Sequence, residues 1–364
     1  MKDTGRKIVA RFLAGLAIGL CYVWLIVDAR AASAASVSAL GLCAKVIVPS
    51  LFPFFVCSNL FCALGLERPM ERVLSRVVEP LFGVPGSGAA ALFVGLTGGY
   101  PSGAQSVGAL YGGGSIDRKT AKRLLLFCNN CGPAFLFGVV GPSVFGSSLA
   151  GLLLYLVHVA SSLLLGIFVR KSGHMQERTA QDTENVPSVS FSSALTASVK
   201  KSGQTALEVC MFVVVFGVVT AMVQTALRPV LPDWALVIVS GLLELSGGAS
   251  ALAEAAMPQG VKFALASFFL AFGGLSVHAQ TKAVLSSAGL EGLPVFFPKL
   301  LHALLAGVLS LPVYALFRAR LEAAQAFLSQ APVLPFAMME LMLCAAICLA
   351  FRKMAGSNLR RDRV

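Results

Sequence analysis

Four short stretches of this chain put hydrogen-bonding residues inside runs that are otherwise apolar. They are Gly95-Leu-Thr-Gly-Gly-Tyr-Pro-Ser-Gly-Ala-Gln105, Cys128-Asn-Asn-Cys-Gly-Pro133, Gly241-Leu-Leu-Glu-Leu-Ser-Gly-Gly-Ala-Ser250 and Phe272-Gly-Gly-Leu-Ser-Val-His-Ala-Gln280. Their chemistry suits holding a small polar solute. Thr97, Ser102 and Gln105 offer hydroxyl and amide groups, while Gly98, Gly99 and Gly103 permit tight turning and close backbone approach. A half-helix starting at Ser102 presents free N–H groups and a positive dipole end, which suit an anion. Asn129 and Asn130 differ by about 100° around a helix, so both cannot face the same side. Ser246 and Gly247 occupy the corresponding tip in the second half, and Ser276, His278 and Gln280 its partner break. A histidine ordinarily titrates near neutral pH, so His278 is a candidate donor to an anion. A carboxylate at the centre of a bilayer costs roughly 2.5–3.5 kcal/mol. Glu244 is therefore expected to pair, to bind a cation or to take up a proton, which makes it the candidate contact for a coupling ion. Each of these groups also has a structural reading: small residues let membrane helices pack closely, and amides hydrogen-bond between helices.

Other chemistries find no support. Gly112-Gly-Gly114 lacks a following Lys-Ser/Thr and reads as a turn; with no hydrolase, kinase or nucleotide motif, no enzyme activity and no cofactor are expected. Seven of the nine cysteines lie in apolar runs. The Cys128–Cys131 pair has no companion Cys or His pair, so no metal is expected.

The elements that must position these residues are membrane helices. Of 364 residues, 57% are hydrophobic and 13% charged. Apolar windows of about 20 residues recur along the chain. The net charge of +12 sits on the flanks of these windows, at Lys2, Arg6, Lys7 and Arg11 and at Arg352, Lys353, Arg360, Arg361 and Arg363. That placement marks cytoplasmic ends and argues against a nucleic-acid partner. The expected fold is an all-α polytopic membrane protein, with about eight transmembrane helices plus two re-entrant hairpins in two inverted-topology repeats. Expected spans are Ile8–Asp28, Leu40–Leu64, Leu124–Val140, Val144–Val169, Ala206–Leu227, Val261–Leu285, Val295–Phe317 and Val333–Phe351, with hairpins at Ala89–Gly112 and Ala235–Ala256.

The implied organisation is an N-terminal anchor helix (1–36), a first repeat (37–170), a polar cytoplasmic linker (171–204), a second repeat (205–317), and an interfacial segment with a last span and basic tail (318–364). The linker admits a regulatory role as an alternative. A basic start, the run Phe12 to Val27 and Ala29-Arg-Ala31 also fit a cleaved signal peptide; the length of the run, Trp24 and Asp28 favour a retained helix. The nearly uncharged Arg30–Ser38 link is expected outside, and the basic residues Arg68, Arg72, Arg76, Arg118, Lys119, Lys122 and Arg123 inside. Cys128 and Phe272, which open the two broken segments, are 144 residues apart, as are His158 and His302. The two histidines read as packing residues. Lys45, near Pro49 and Pro53, either snorkels or faces the cavity. Expected partners are the lipid bilayer, a small anionic solute, a coupling ion and a second copy of the chain.

Gly98-Gly-Tyr-Pro-Ser-Gly-Ala104 followed by Leu124-Leu-Leu-Phe-Cys-Asn-Asn-Cys-Gly-Pro133 resembles the YlbJ-type sporulation integral membrane family, grouped with nucleoside-recognition or Gate membrane proteins. The resemblance extends from the second span to the last helix. It implies an architecture similar to concentrative nucleoside carriers, with ligand held between hairpin tips and broken helices. It also implies transport of dipicolinate from mother cell towards forespore, and a place in the outer forespore membrane of a bacterium. Nucleoside transport and a non-transporting assembly role are the alternatives. Cys131 stands where a small polar residue is expected, and no acidic cluster of the kind that holds sodium occurs in the first half.

Overall fold

The computed structural model describes residues 2–170 and 190–328, and every regular element among them is helical. Helix α1 spans Lys2–Val27. The Asp28 carboxylate accepts the Ala31 N–H at 3.3 Å and caps the next helix, α2, which runs Ala29–Ala63 through one π-helical turn at Cys43–Ile47. The expected outside link Arg30–Ser38 is therefore helix, and the boundary drawn at residue 36 falls inside α2. The physical reason is plain: this alanine-rich segment contains no breaker, and alanine is the best helix former. Lys45 is exposed on the π turn rather than turned inward.

Helix α3 (Glu67–Phe82) ends at left-handed Gly83, and the chain bends by 91° into α4, Ser87–Gly98. The antiparallel partner of α4 is α5, Ser102–Gly112. A short α6 (Arg118–Leu124), capped by the Asp117 carboxylate on the Thr120 N–H at 2.7 Å, leads to an irregular stretch at 125–132. The chain resumes as α7 (Pro133–Phe145), then α8 (Ser148–Phe168) after left-handed Gly146. The expected span Leu124–Val140 is thus interrupted over eight residues, wider than a kink at the asparagines.

In the second half, α9 runs Phe191–Leu227. It starts inside the segment expected to be linker, because Ser190 caps it and no proline follows; residues 171–189 lie outside the described ones. Next come α10 (Asp233–Leu243) and α11 (Leu245–Glu254), separated by Glu244 alone, then α12 (Gln259–Phe272) and α13 (Gly274–Ser287), separated by Gly273. Helix α14 is unbroken over Phe296–Leu328, passing through Pro312. The separate interfacial helix expected from Arg318 is its continuation, since nothing after Pro312 stops the helix. The expected span Val333–Phe351 falls outside the described residues.

Among the described residues five segments are long and apolar enough to cross a membrane: Ala29–Ala63, Ser148–Phe168, Phe191–Leu227, Gln259–Ser287 and Phe296–Leu321. The α3–α4 bent pair makes a sixth if taken as one. The same order occurs twice, a helical hairpin, a broken helix and a long helix: α4–α5, α6–α7, α8, then α10–α11, α12–α13, α14. One apolar core draws on both sets, with Phe135, Leu136 and Phe145 packed against Leu245, Phe263 and Phe269. A second joins Phe82, Leu124 and Phe127 to Leu285, Leu290 and Leu293.

Lipid tails are as apolar as leucine, so such a bundle is held by close packing rather than by exclusion from water. The first hairpin shows this directly. A Cβ at Gly103 would lie 2.2 Å from the Cys128 carbonyl oxygen, whereas one at Gly203 in α9 would meet nothing within 4 Å. Gly103→Ala is therefore expected to lower stability by about 1–3 kcal/mol through overpacking. Gly203→Ala should raise it by about 0.4–1 kcal/mol through reduced freedom of the unfolded chain. Thermal unfolding of the purified variants in detergent checks the pair, and equal midpoints would refute the close approach.

Candidate functional site

The first hairpin tip turns at Gly99, whose φ of 78° is open to glycine. A Cβ there would stand 2.8 Å from the Gly132 nitrogen. Tip and irregular stretch therefore meet backbone to backbone, with Gly95 and Gly103 pressed on Cys128 in the same way. Gly98, Gly99 and Gly103 form a contact surface, and Gly98 lies against Ser58 and Ser102. The Thr97 hydroxyl donates to its own helix, to the Phe93 carbonyl at 2.8 Å. Ser102 is buried, and its N–H donates to the Gly99 carbonyl at 2.7 Å.

Side chains satisfy the irregular stretch. Asn130 Nδ2 and the Ser162 hydroxyl both donate to the Phe127 carbonyl, at 2.6 and 2.7 Å. The Cys131 N–H donates to His158 Nε2 at 3.1 Å, and Asn129 Nδ2 donates to the Thr281 hydroxyl at 2.9 Å. Both asparagines are buried, and they tie the break to its neighbours rather than facing open space.

The second tip is built differently. Glu244 is a single extended residue, and its carboxylate accepts the Ser246 N–H at 3.0 Å and the Gly247 N–H at 2.5 Å. It thus caps α11, favoured further by the helix dipole. Gly274, at φ 69°, brings the second break against this tip, since a Cβ there would be 3.2 Å from the Glu244 nitrogen. Ser276 is buried and accepts from Gln280 Nε2 at 3.3 Å. His278 packs between Phe272 and Phe296, at ring-centroid distances of 4.7 and 5.5 Å.

Both tips and both breaks converge. The Tyr100 hydroxyl, from the first tip, reaches the Leu270 and Ala271 carbonyls at the end of α12, each at 3.2 Å. Lys299, at the start of α14, is 2% exposed. Its ammonium donates to the Asn129 carbonyl and, at 3.1 Å, to the Tyr100 hydroxyl. Beside these groups lies a cavity of about 40 Å³ lined by Tyr100, Cys131, Gly132, Glu244, Ser246 and Gln280 among others. It adjoins a cleft of about 640 Å³ between α5, α9 and α13, with Gln105, Lys201, Gln204, Thr205 and Glu208 on its walls; Gln280 and Val209 belong to both. Gln105 Nε2 donates to the Thr205 hydroxyl across the cleft at 3.2 Å.

Of the residues singled out from the sequence, Glu244, Ser246 and Gln280 share the cavity wall, and Gln105 and Gln280 the cleft. Thr97, Asn129, Asn130, Ser276 and His278 line neither, and Gly247 lies under the Glu244 carboxylate. Tyr100 and Lys299 were not singled out. Lys299 follows Pro298 at a helix start, where a basic residue reads as a flank; the signal for it is burial, which the sequence does not carry. Among the described residues no cluster of three or more metal-ligating side chains occurs.

No family model and no solved structure matches the chain. The sporulation integral membrane protein YlbJ of Bacillus subtilis (strain 168) is 30% identical over 312 residues, covering 77% of this chain and 76% of that protein. The chain belongs to the YlbJ family. It is a multi-pass membrane protein, as its apolar helices require.

For this YlbJ-family chain, the cap geometry generates a direct test. Glu244→Ala removes the acceptor for two N–H groups and should cost about 0.5–2 kcal/mol, while Glu244→Gln keeps one acceptor and should cost less. Thermal midpoints of the two variants measure it; equal stability of Glu244→Ala and the parent would show the carboxylate is no cap.

Proposed function

We propose that this protein is a carrier for a small organic anion, working by alternate opening around the cavity shared by the two hairpin tips. The observation that supports it most is that Tyr100 from one tip and Glu244 and Ser246 from the other line a single buried space, next to a polar cleft. In a bilayer, irregular backbone is tolerated only where protein buries it or a wet cavity meets it, and paired broken helices in two halves mark carrier sites. In this reading the two sets of elements are inverted repeats, α4–α5 and α10–α11 are re-entrant hairpins, and the full chain carries about eight spans. Glu244 is the candidate for a coupling ion. The cleft opens at the cytoplasmic end: its wall includes Gly112 and Ala288, and Arg118 Nη1 donates to the nearby Gly289 carbonyl at 3.1 Å.

The cargo we infer is dipicolinate, moved across the outer forespore membrane during sporulation, in keeping with membership of a sporulation membrane family. An assembly role would draw on the glycine packing of the first hairpin, but leaves the amide-lined cleft without a purpose.

The test is dipicolinate uptake into proteoliposomes. Gln280→Leu and Ser246→Leu should lower the rate by about tenfold or more, the scale of losing a positioned hydrogen bond to charge. Gly203→Ala should leave it unchanged, and excess uridine should not compete. Parental rates in folded Gln280→Leu and Ser246→Leu would overturn the site.

A further inference from the structure

We propose that Lys299 is the residue that gives this site its preference for anions, with Tyr100 covering its ammonium in the arrangement seen here. The proposal rests on the carrier reading and names its charged recognition group.

An ammonium taken out of water is stable only with compensation, normally a carboxylate or a full set of strong acceptors. Lys299 has neither. Its two hydrogen bonds go to neutral oxygens, the Asn129 carbonyl and the Tyr100 phenol, and among the described residues it pairs with no carboxylate. The ring of Tyr100 adds a cation–π contact, with the ammonium 4.9 Å from its centroid. An ionisable residue held this way inside a membrane bundle marks a solute or ion pathway.

The obvious counter-charge is committed elsewhere. Glu244 uses both carboxylate oxygens on the N–H groups of its own helix. That capping also offsets its repulsion of a neighbouring anion, because the helix N-terminus carries compensating positive charge. Tyr100 links Lys299 to the cavity: it lines the space, which Lys299 does not, and its hydroxyl meets the ammonium. An anionic group entering from the cleft past Gln280 therefore reaches Lys299 by taking the place of the phenol. The phenol retains the Leu270 and Ala271 carbonyls as acceptors when it yields. Gln280, whose amide has a second N–H beyond the one given to Ser276, is on the wall as donor for a second polar group of the solute. The chemical class this selects is a compact carboxylate with a second acceptor a few ångströms away.

Binding to the purified full chain in nanodiscs tests this, with dipicolinate as probe and the uncharged pyridine-2,6-dicarboxamide as its neutral counterpart. Lys299→Met should weaken dipicolinate about tenfold or more, as expected for losing a charge-assisted bond, and leave the diamide within about twofold. Tyr100→Phe should bind dipicolinate more tightly than the parent, because the ammonium then has one fewer neutral partner to give up. Undiminished dipicolinate affinity in Lys299→Met overturns the role of Lys299 and leaves the carrier reading standing. A parent that binds neither probe overturns both. Should Lys299→Met fail to fold, Tyr100→Phe decides alone: unchanged or weaker affinity sinks the proposal.

Discussion

Every peptide group inside a bilayer needs a partner from the protein itself, and the four interruptions of this chain are four answers to that demand. At Gly99 the backbone turns through a conformation that only glycine adopts freely, and the next turn closes with the Ser102 N–H on the Gly99 carbonyl. At 125–132, where the gap is widest, side chains take over: Asn130, Ser162 and His158 each satisfy a main-chain group. At Glu244 a carboxylate does the work for the following helix. At Gly273 the end of α12 exposes carbonyls that the Tyr100 hydroxyl reaches from the other half. The last answer is the informative one, since it makes the completeness of one half depend on the tip of the other.

The matched histidines show the same dependence at the centre of the long helices. His158 and His302 stand at equivalent places in α8 and α14, and their rings meet at 4.7 Å between centroids. Their bonds are not equivalent. His158 accepts from the Cys131 N–H in the first break, whereas His302 Nε2 reaches the His158 carbonyl and the Ser161 hydroxyl. The second break instead turns through two consecutive positive-φ glycines, Gly273 and Gly274.

This explains which features were legible in the sequence. Gly, Pro and Asn inside apolar runs announce interruptions because each disrupts the helix by a local mechanism; three of the four interruptions contain them, and the fourth falls at Glu244, with Gly241 and Gly247 in the adjoining helical turns. Local signals failed for continuity. Arg30–Ser38 reads as a link and the segment from Arg318 as a separate interfacial helix, yet neither contains anything that ends a helix, and each continues a longer one. They failed again for partners. Asn129 and Asn130 are equally polar neighbours of Lys299 and Phe127, and only the packed arrangement says that they brace the break while Gln280 faces space. Lys299 was invisible because its significance is burial, created by a hairpin tip that lies 199 residues away in the chain.

The contacts also divide the bundle into two closely fitted bodies and a seam between them. The first hairpin is fitted to 125–132 at distances that admit no Cβ, so the two must travel as one body. The second tip is similarly fixed to its break through Gly274. Among the described residues the polar links between the halves include Tyr100 to the α12 carbonyls, Lys299 to Asn129 and Tyr100, Asn129 to Thr281, Gln105 to Thr205, Arg118 to the Gly289 and Glu291 carbonyls, and His302 to His158 and Ser161. Hydrogen bonds within membrane bundles average about 0.6 kcal/mol each. Releasing these bonds costs a few kcal/mol, and the two apolar cores that join the halves hold the seam as well. In the carrier reading proposed above, alternate access is a rigid-body displacement of the two fitted bodies that exchanges these bonds and slides along those cores, on the microsecond-to-millisecond scale of domain motion.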